Sequence, residues 1–307
     1  MQTDSIGVLD SATCALTHGT AIRNAMSVDV EDYFQVSAFE SFIDRDSWNR
    51  IPSRVAGNTE RILRMFDDYG VKATFFVLGW VAEHHPSVVR EITAAGHEVA
   101  SHGYEHVRVF QQSPREFRAD ISRTKAVLED ISGQEVVGYR AASYSIDART
   151  LWALKEVQEA GYLYSSSIYP IRHDLYGMPE APRVPFYPNG DGALIELPIS
   201  TVDVLSRRLP CGGGGYFRLL PYGFSRWAIA RVNTRESRPC VFYFHPWEID
   251  PKQPRQQGIS LKTRLRHYLN LSHMEDRLRR LLQDFTWDRI DRVFPVFPPQ
   301  PRQVGGR

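Results

Sequence analysis

Residues 71–101 read VKATFFVLGWVAEHHPSVVREITAAGHEVAS. The run Val71 to Leu78 is almost continuously apolar, which is typical of a strand buried on both faces. Pro86 to Ala95 has the pattern of a helix that Gly96 ends, and His97 to Ser101 is the next strand. This order predicts two parallel strands joined by a crossover helix.

The same alternation continues on both sides of this segment. The predicted elements are a strand at 25–30, a helix at 57–69, a helix at 114–131, a strand at 135–141 and a helix at 147–160. We therefore predict an α/β fold with a parallel sheet, in the form of a closed or distorted α/β barrel. In such barrels, the functional side chains lie at the carboxyl ends of the strands.

Composition sets the protein class. The chain has 307 residues, 42% of them hydrophobic, and a formal net charge of +1. This is enough to bury a large core, and it gives no electrostatic reason to expect nucleic acid or an anionic membrane as a partner.

Cellular location is predicted from cysteines and apolar runs. Cys14, Cys211 and Cys240 are too few and too scattered for a disulfide framework, so they favour a reducing compartment or buried apolar roles. The residues before Asn24 lack the pattern of a secretory signal, and no run is long enough to span a bilayer. We expect a cytoplasmic protein.

Two histidines follow the strand that ends at Ser101, in the sequence Ser101-His102-Gly103-Tyr104-Glu105-His106. Imidazoles four residues apart, placed by a helical turn, can bind one metal ion. A solvated loop accounts equally well for this spacing, so the pair needs a third ligand.

Three carboxylates lie at the end of the first strand, in Val28-Asp29-Val30-Glu31-Asp32. Carboxylates beside a buried strand end are costly unless a positive group compensates them. An acidic loop that caps a helix is the simpler alternative. With His102 and His106, these residues predict a metal held by two imidazoles and one carboxylate, with a second carboxylate left for proton transfer.

Two further strand ends complete a recognisable order. An arginine lies in Gly138-Tyr139-Arg140-Ala141-Ala142-Ser143-Tyr144, and a late strand, Val241-Phe242-Tyr243-Phe244, leads into His245-Pro246. Over residues 25 to 250, the four motifs resemble the polysaccharide deacetylases with the NodB homology fold, carbohydrate esterase family 4. Residues 29–33 and 245–251 are similar to the subgroup encoded beside exosortase and exopolysaccharide loci, which has an extra C-terminal region.

The resemblance implies a distorted (β/α) barrel of the NodB type over residues 25–250, after an N-terminal tail at 1–24 and before a C-terminal helical extension and tail at 251–307. It implies a metal-dependent hydrolase that removes N-acetyl groups from the amino sugars of an exopolysaccharide or its oligosaccharide precursor. Zinc or another divalent transition metal is the expected cofactor. The expected partners are an N-acetylated polysaccharide or oligosaccharide and a membrane-bound complex for polysaccharide synthesis or export.

The roles of single residues follow from the same resemblance. Asp29 is expected to be the general base toward metal-activated water, with Asp32, His102 and His106 as metal ligands. Glu31 remains the alternative to Asp32, because strand alternation puts Asp29 and Glu31 on one face.

The remaining roles concern the acid and the substrate. Arg140 is expected to pair with the base, and His245 to be the general acid. The expected substrate-binding residues are Ser143 and Tyr144, whose N–H groups would meet the developing oxyanion, and Trp247. The segment 162–167 lacks the carboxylate that tunes the acid in the family, and the candidates to replace it are Glu248, Asp250 and Glu196.

Two later regions stay ambiguous. Residues 169–221 are expected to be long loops that shape a sugar groove, with four glycines at 212–215 and Tyr216, Phe217 and Tyr222 as stacking candidates. Residues 261–285 predict one basic amphipathic helix, which either packs on the barrel or binds a membrane or partner. The chain from Pro295 onward is expected to be a frayed tail.

Two other functions remain open. One is hydrolysis of a small amide on the same fold. The other is a sugar-binding or scaffolding protein of an export complex without catalytic activity.

Overall fold

Ten strands form the main sheet. The computed structural model describes residues 7–8, 22–205 and 207–295. The strands are β1 (Gly7–Val8), β2 (Arg23–Val30), β3 (Thr74–Val77), β4 (Glu98–Ser101), β5 (Gly138–Tyr139), β6 (Tyr164–Ser165), β7 (Phe186–Tyr187), β8 (Ile195–Glu196), β9 (Thr201–Val204), β10 (Arg207–Pro210), β11 (Val241–Phe244) and β12 (Thr286–Asp288). The sheet order is β1-β7-β8-β6-β5-β4-β3-β2-β11, with β12 also on β2, and β9 and β10 form a separate hairpin.

Helices connect and cover the strands. They are α1 (Val55–Asp68), α2 (Gly79–His84), α3 (Pro86–Ala94), α4 (Pro114–Ser132), α5 (Trp152–Glu159), α6 (Gly214–Leu219), α7 (Tyr222–Arg235), α8 (Leu261–Tyr268), α9 (Met274–Asp284) and α10 (Ile290–Val293). The predicted helices at 57–69, 86–95, 114–131 and 147–160 are confirmed as α1, α3, α4 and α5, with ends shifted by a few residues. No local sequence pattern predicted α2, α6, α7, α10 or the short strands β1, β6 to β10 and β12.

Both faces of the central sheet are apolar, as a parallel sheet covered by helices requires. Along β3, Phe75 and Val77 pack into the core cluster beneath the helices, whereas Phe76 lies in a second cluster on the opposite face. The pairs from β11 through β2, β3, β4, β5 and β6 to β8 are parallel, and β7 is antiparallel to both β8 and β1. This curled mixed sheet with its outer helices confirms the predicted distorted (β/α) barrel.

The sheet does not close by strand pairing between β1 and β11 among the described residues. Instead, the chain after β8 bridges the gap with backbone hydrogen bonds. The N–H of Ile199 donates to the carbonyl of Ile168 (3.1 Å), and the N–H of Ser200 donates to the carbonyl of Val241 (3.3 Å). The N–H of Tyr243 donates to the carbonyl of Gly212 (2.9 Å). The region predicted as long loops therefore completes the wall of the barrel.

The predicted C-terminal extension is part of the same core. Strand β12 pairs in parallel with residues 23–25 of β2, and α10 places Ile290 in the second core cluster. The single helix predicted at 261–285 is wrong, because the chain turns at Asn270 in a left-handed conformation (φ 54°) between α8 and α9. Of Cys14, Cys211 and Cys240, the first lies outside the described residues and the other two are free and buried. Within the described part of the chain, every helix is too short or too polar to cross a bilayer.

Candidate active site

Strand β2 brings two carboxylates to the mouth of the barrel. Asp29 and Glu31 are two residues apart, so strand alternation directs both to the same side. His245, which directly follows β11, places its Nε2 atom 4.0 Å from Asp29 Oδ2 and 3.6 Å from Glu31 Oε1. All three side chains therefore face one point at the carboxyl ends of neighbouring strands.

Asp32 is not part of this group, which corrects its preferred assignment as the metal ligand. One of its carboxylate oxygens accepts the backbone N–H groups of Arg54 (2.6 Å) and Val55 (3.0 Å) and the hydroxyl of Ser53 (2.8 Å). These N–H groups lie at the start of α1, where helical donors have no partner within the helix. Asp32 follows Glu31 by one residue and therefore points away from the mouth. Its carboxylate caps α1 instead.

Glu31, His102 and His106 form the candidate metal centre. Each offers one ligand atom, and these atoms lie within 4.8 Å of one another at buried positions. Nδ1 of His102 donates a hydrogen bond to the carbonyl of Arg140 (2.9 Å). The lone pair on Nε2 is therefore available for a metal ion. Two imidazole nitrogens and one carboxylate oxygen are the ligand set of catalytic zinc sites that keep a position open.

The electrostatics of these residues fit a bound cation. Glu31 Oε2 is buried without a hydrogen-bond partner among the described residues, although Nε2 of His106 lies 3.0 Å away. Burial raises the pKa of Glu31 to about 7, despite His245 and the Trp247 N–H, which lower it. Burial also lowers the pKa of His102, and that of His106 far more. Lone pairs facing each other in a dry site are costly, and a cation between them would remove that cost.

The predicted helical turn between the histidines is wrong. Residues 102–106 form an irregular loop in which Gly103 (φ 75°) and His106 (φ 53°) adopt left-handed conformations. A non-glycine residue rarely adopts this conformation, and such strain is concentrated at functional sites. The loop, rather than a helix, brings the two ring centroids to 5.3 Å.

Arg140 pairs with Asp29, as the resemblance implied. The guanidinium is fully buried and donates from Nη1 to Asp29 Oδ1 (2.5 Å) and to the Ser27 hydroxyl (2.9 Å). It also donates to the carbonyl and hydroxyl of Ser166 (both 3.0 Å). A buried ion pair with its remaining donors satisfied fixes the position of Asp29.

Glu248 supplies the carboxylate that residues 162–167 lack. Its Oε1 atom lies 2.7 Å from Nδ1 of His245, and its Oε2 atom accepts from Nε of Arg218 at 2.6 Å. Burial alone would lower the pKa of His245, but Glu31 and Glu248 outweigh it and raise that pKa to about 9. Burial likewise opposes ionisation of Glu248, yet Arg218 and His245 bring its pKa down to about 2.

The two other candidates for this role are engaged elsewhere. Asp250 accepts from Arg54, and Glu196 accepts the backbone N–H groups of Ser167 and Ile168 (both 2.8 Å). His245 therefore has one identified carboxylate partner on Nδ1, and its Nε2 atom faces the mouth.

The three predicted substrate-binding residues have different environments. The Ser143 hydroxyl lies 2.7 Å from that of Ser37, at the edge of the site. The Tyr144 N–H already donates to the Ala141 carbonyl (3.1 Å), so it is not free for an oxyanion. Trp247 is buried, and its N–H donates to Glu31 Oε1 at 3.0 Å, which makes it a support for the metal centre rather than an open sugar platform.

Two of the three stacking candidates belong to the core. Phe217 packs against Phe242 with ring centroids 5.2 Å apart, and the Tyr222 hydroxyl donates to Asp284 (2.6 Å). Tyr216 is half-buried and packs beside Tyr169 against the second core cluster. The sequence analysis missed Arg218, because no local pattern connects it to Glu248 thirty residues later.

Two family models match adjoining parts of the chain. Residues 46–164 match the polysaccharide deacetylase model, and residues 166–295 match a domain of unknown function, DUF3473. Asp29 and Glu31 precede the first matched residue.

Curated relatives are named as deacetylases. A peptidoglycan deacetylase-like protein of Gibberella zeae is 32% identical over 110 residues, which are 35% of this chain and 32% of that protein. A peptidoglycan-N-acetylglucosamine deacetylase of Bacillus cereus is 36% identical over 75 residues, which are 24% of this chain and 27% of that protein. The chain thus spans about a third or less of the length of these relatives.

A solved structure shares the whole fold. The crystal structure of a Mycobacterium smegmatis protein assigned to the polysaccharide deacetylases superposes with a TM-score of 0.59 at 20% identity, and the match covers 99% of both chains. The chain thus contains a polysaccharide deacetylase domain at residues 46–164, followed by a DUF3473 domain at residues 166–295.

Proposed function

We propose that the protein is a metal-dependent deacetylase that hydrolyses the N-acetyl groups of amino sugars in a polysaccharide or its oligosaccharide precursor. One observation carries the proposal: Glu31, His102 and His106 converge beside Asp29, paired with Arg140, and beside His245, paired with Glu248. A metal-ligand set, a candidate base and a candidate acid around one point suit hydrolysis of an amide.

Glu31, His102 and His106 would hold the divalent metal, with zinc as the default for this ligand set. When bound, the metal would polarise the amide carbonyl and make a water molecule more acidic. Trp247 would orient Glu31 through its N–H, and the Arg140 carbonyl would fix the tautomer of His102.

Asp29 is the proposed base and His245 the proposed acid. Asp29 would accept a proton from the water that attacks the acetyl carbon, because Arg140 holds its other oxygen in place. His245 would donate a proton to the amino-sugar nitrogen as the carbon–nitrogen bond breaks, leaving acetate and a free amine. The Glu248 carboxylate at Nδ1 favours the protonated form of His245, unlike a histidine without a carboxylate partner.

Acetate release tests the proposal against its alternatives. The zinc-loaded protein is expected to release acetate from tri- to penta-N-acetylchitooligosaccharides and not from a panel of small cyclic amides and formamides. Turnover of the small amides alone would favour the small-amide hydrolase. Binding of the oligosaccharides without acetate release would favour the non-catalytic sugar-binding protein.

We further propose a cytoplasmic location, in contact with a membrane-bound complex for exopolysaccharide synthesis of the type found beside exosortase loci. The free, buried thiols of Cys211 and Cys240 are compatible with a reducing compartment. Alkaline phosphatase fused to the C-terminus is expected to be inactive in cells. An active fusion would contradict this location.

A further inference from the structure

Arg218 lies outside every motif of the sequence analysis and is one of the most buried arginines of the described chain (2% exposed). It belongs to α6, within the DUF3473 region. Burying a guanidinium is costly unless each of its donors finds a partner. Its partners therefore indicate its role.

The guanidinium joins Glu248 to the end of α8. Nε donates to Glu248 Oε2 at 2.6 Å. Nη1 and Nη2 donate to three carbonyls of residues 266, 267 and 269, at distances of 2.7 to 3.1 Å. Carbonyls at the end of a helix have no partner within the helix and carry its negative dipole end, so they suit a cation.

The two oxygens of Glu248 accept hydrogen bonds from different residues. Oε2 accepts a hydrogen bond from Arg218. Oε1 accepts hydrogen bonds from the backbone N–H (3.1 Å) and from Nδ1 (2.7 Å) of His245. Nδ1 of His245 carries the proton that it donates to Glu248. The Nε2 atom, on the other side of the ring, points toward Asp29 and Glu31. A rotation of Glu248 would release His245 from this orientation.

The glycine run at 212–215 makes room for this arrangement. A Cβ atom on Gly214 would lie 2.2 Å from Glu248 Oε1, so any larger residue there would displace the Glu248 carboxylate. Gly215, the next residue in α6, has open space at the same position. Only the first of these two glycines is needed for Glu248.

We propose that Arg218 is a positioning residue that orients the catalytic acid through Glu248, so that the DUF3473 region completes the deacetylase site. This inference rests on the proposed function. The competing explanation is that Arg218 only links α6 to α8 and contributes to folding alone.

Kinetics on N-acetylchitopentaose separate the two explanations. Arg218→Ala is expected to lower kcat by about ten- to a hundredfold, with KM and zinc content close to those of the unmodified protein and partial rescue by added guanidinium. Since Arg218 acts through Glu248, Arg218→Ala combined with Glu248→Gln is expected to be no slower than Glu248→Gln alone. Effects that multiply, or a kcat within twofold of the unmodified value for Arg218→Ala, would overturn the proposal.

The glycine pair keeps the test decisive if Arg218→Ala does not fold. Gly214→Ala is expected to lower kcat in the same way, whereas Gly215→Ala is the matched control and keeps full activity. Equal activity of the two variants would contradict the role of Glu248 that the proposal requires.

A spectroscopic measurement is independent of turnover. In protein with ¹⁵N-labelled histidine, the Nδ1 proton of His245 is expected to resonate far downfield because it is bonded to Glu248, and Arg218→Ala is expected to shift it. An unchanged resonance overturns the role of Arg218. Absence of acetate release by the unmodified protein would instead overturn the proposed function, and the resonance would still decide the role of Arg218.

Discussion

The two ends of the central strands each bury a carboxylate whose pKa is raised to about 7, mainly by burial. Glu31 follows the carboxyl end of β2, whereas Glu98 begins β4 at the opposite end of the sheet. The same desolvation therefore acts at both ends. A shifted pKa alone does not identify a functional site.

The partners of the two carboxylates differ. Glu98 accepts hydrogen bonds from the hydroxyls of Thr74 and Tyr164 and from the backbone N–H of Asp291. Glu31 accepts the Trp247 N–H on one oxygen and faces two imidazoles with the other. Glu98 is thus satisfied by the protein itself, whereas Glu31 groups with two imidazoles in an arrangement suited to a cation.

Exchanging each carboxylate for an amide tests this difference most strongly. Glu31→Gln is expected to lower zinc affinity by more than about a hundredfold, since it removes the charged ligand, and to abolish acetate release. Glu98→Gln is the matched control and is expected to keep both the zinc affinity and the acetate release. Zinc content after loading and dialysis is the measurement, and equal content in the two variants would contradict the assignment of Glu31.

One histidine at each end of the strands sharpens the comparison further. His245→Ala is expected to lower kcat by about 10²–10⁴-fold, the usual contribution of a general acid, while zinc content stays unchanged. His97, at the opposite end, accepts the Ala73 N–H (3.0 Å), and burial lowers its pKa to about 3. His97→Ala is expected to cost about 1–3 kcal/mol of unfolding free energy, because it leaves that buried N–H unpaired, with kcat unchanged in folded protein. Loss of zinc in His245→Ala would make His245 a ligand instead of the acid.

The pH dependence of stability tests Glu98. Its pKa rises from 4.5 in the unfolded chain to about 7 in the folded protein, so its stabilising contribution is complete below about pH 4.5 and is lost as the pH rises through 7. Between pH 5 and pH 8, zinc-loaded protein is expected to lose on the order of 1–3 kcal/mol more unfolding free energy than Glu98→Gln. Urea unfolding at both pH values measures this difference, and identical losses would show that Glu98 ionises normally.

Asp32→Asn has the smallest expected effect. Since Asp32 caps α1, the substitution is expected to cost about 1 kcal/mol of stability, and zinc content should not change. Thermal unfolding and zinc content of Asp32→Asn, compared with Glu31→Gln, check both statements. A loss of zinc would restore Asp32 as a ligand.

Much of the fold was predictable because its signals are local. Long helices such as α4 combine an apolar period with a capping box between Ser113 and Glu116, and Gly133 ends α4 with a left-handed conformation (φ 66°). Two-residue strands such as β7 and β8 have no period of their own and exist because neighbouring strands pair with them. Their positions could not be derived from residues 169–221 alone.

The candidate site was predictable in part for the same reason. Asp29 lies near the end of a strand and His102, Arg140 and His245 directly follow strands, and parallel strands bring their carboxyl ends to one edge. The choice between Glu31 and Asp32 depended on where β2 ends and where α1 begins. The burial of Trp247, which was expected to bind substrate, could not be predicted because it depends on His267 in α8, twenty positions later.

The amino-acid sequence by itself determined the alternation of strands and helices and the residue types that end each strand, since both follow from local periodicity. Tertiary structure alone decided which carboxylate meets the two histidines and that Arg218 anchors the partner of His245. Contacts between residues distant in sequence depend on how the elements pack, and packing depends on the whole core rather than on any one segment.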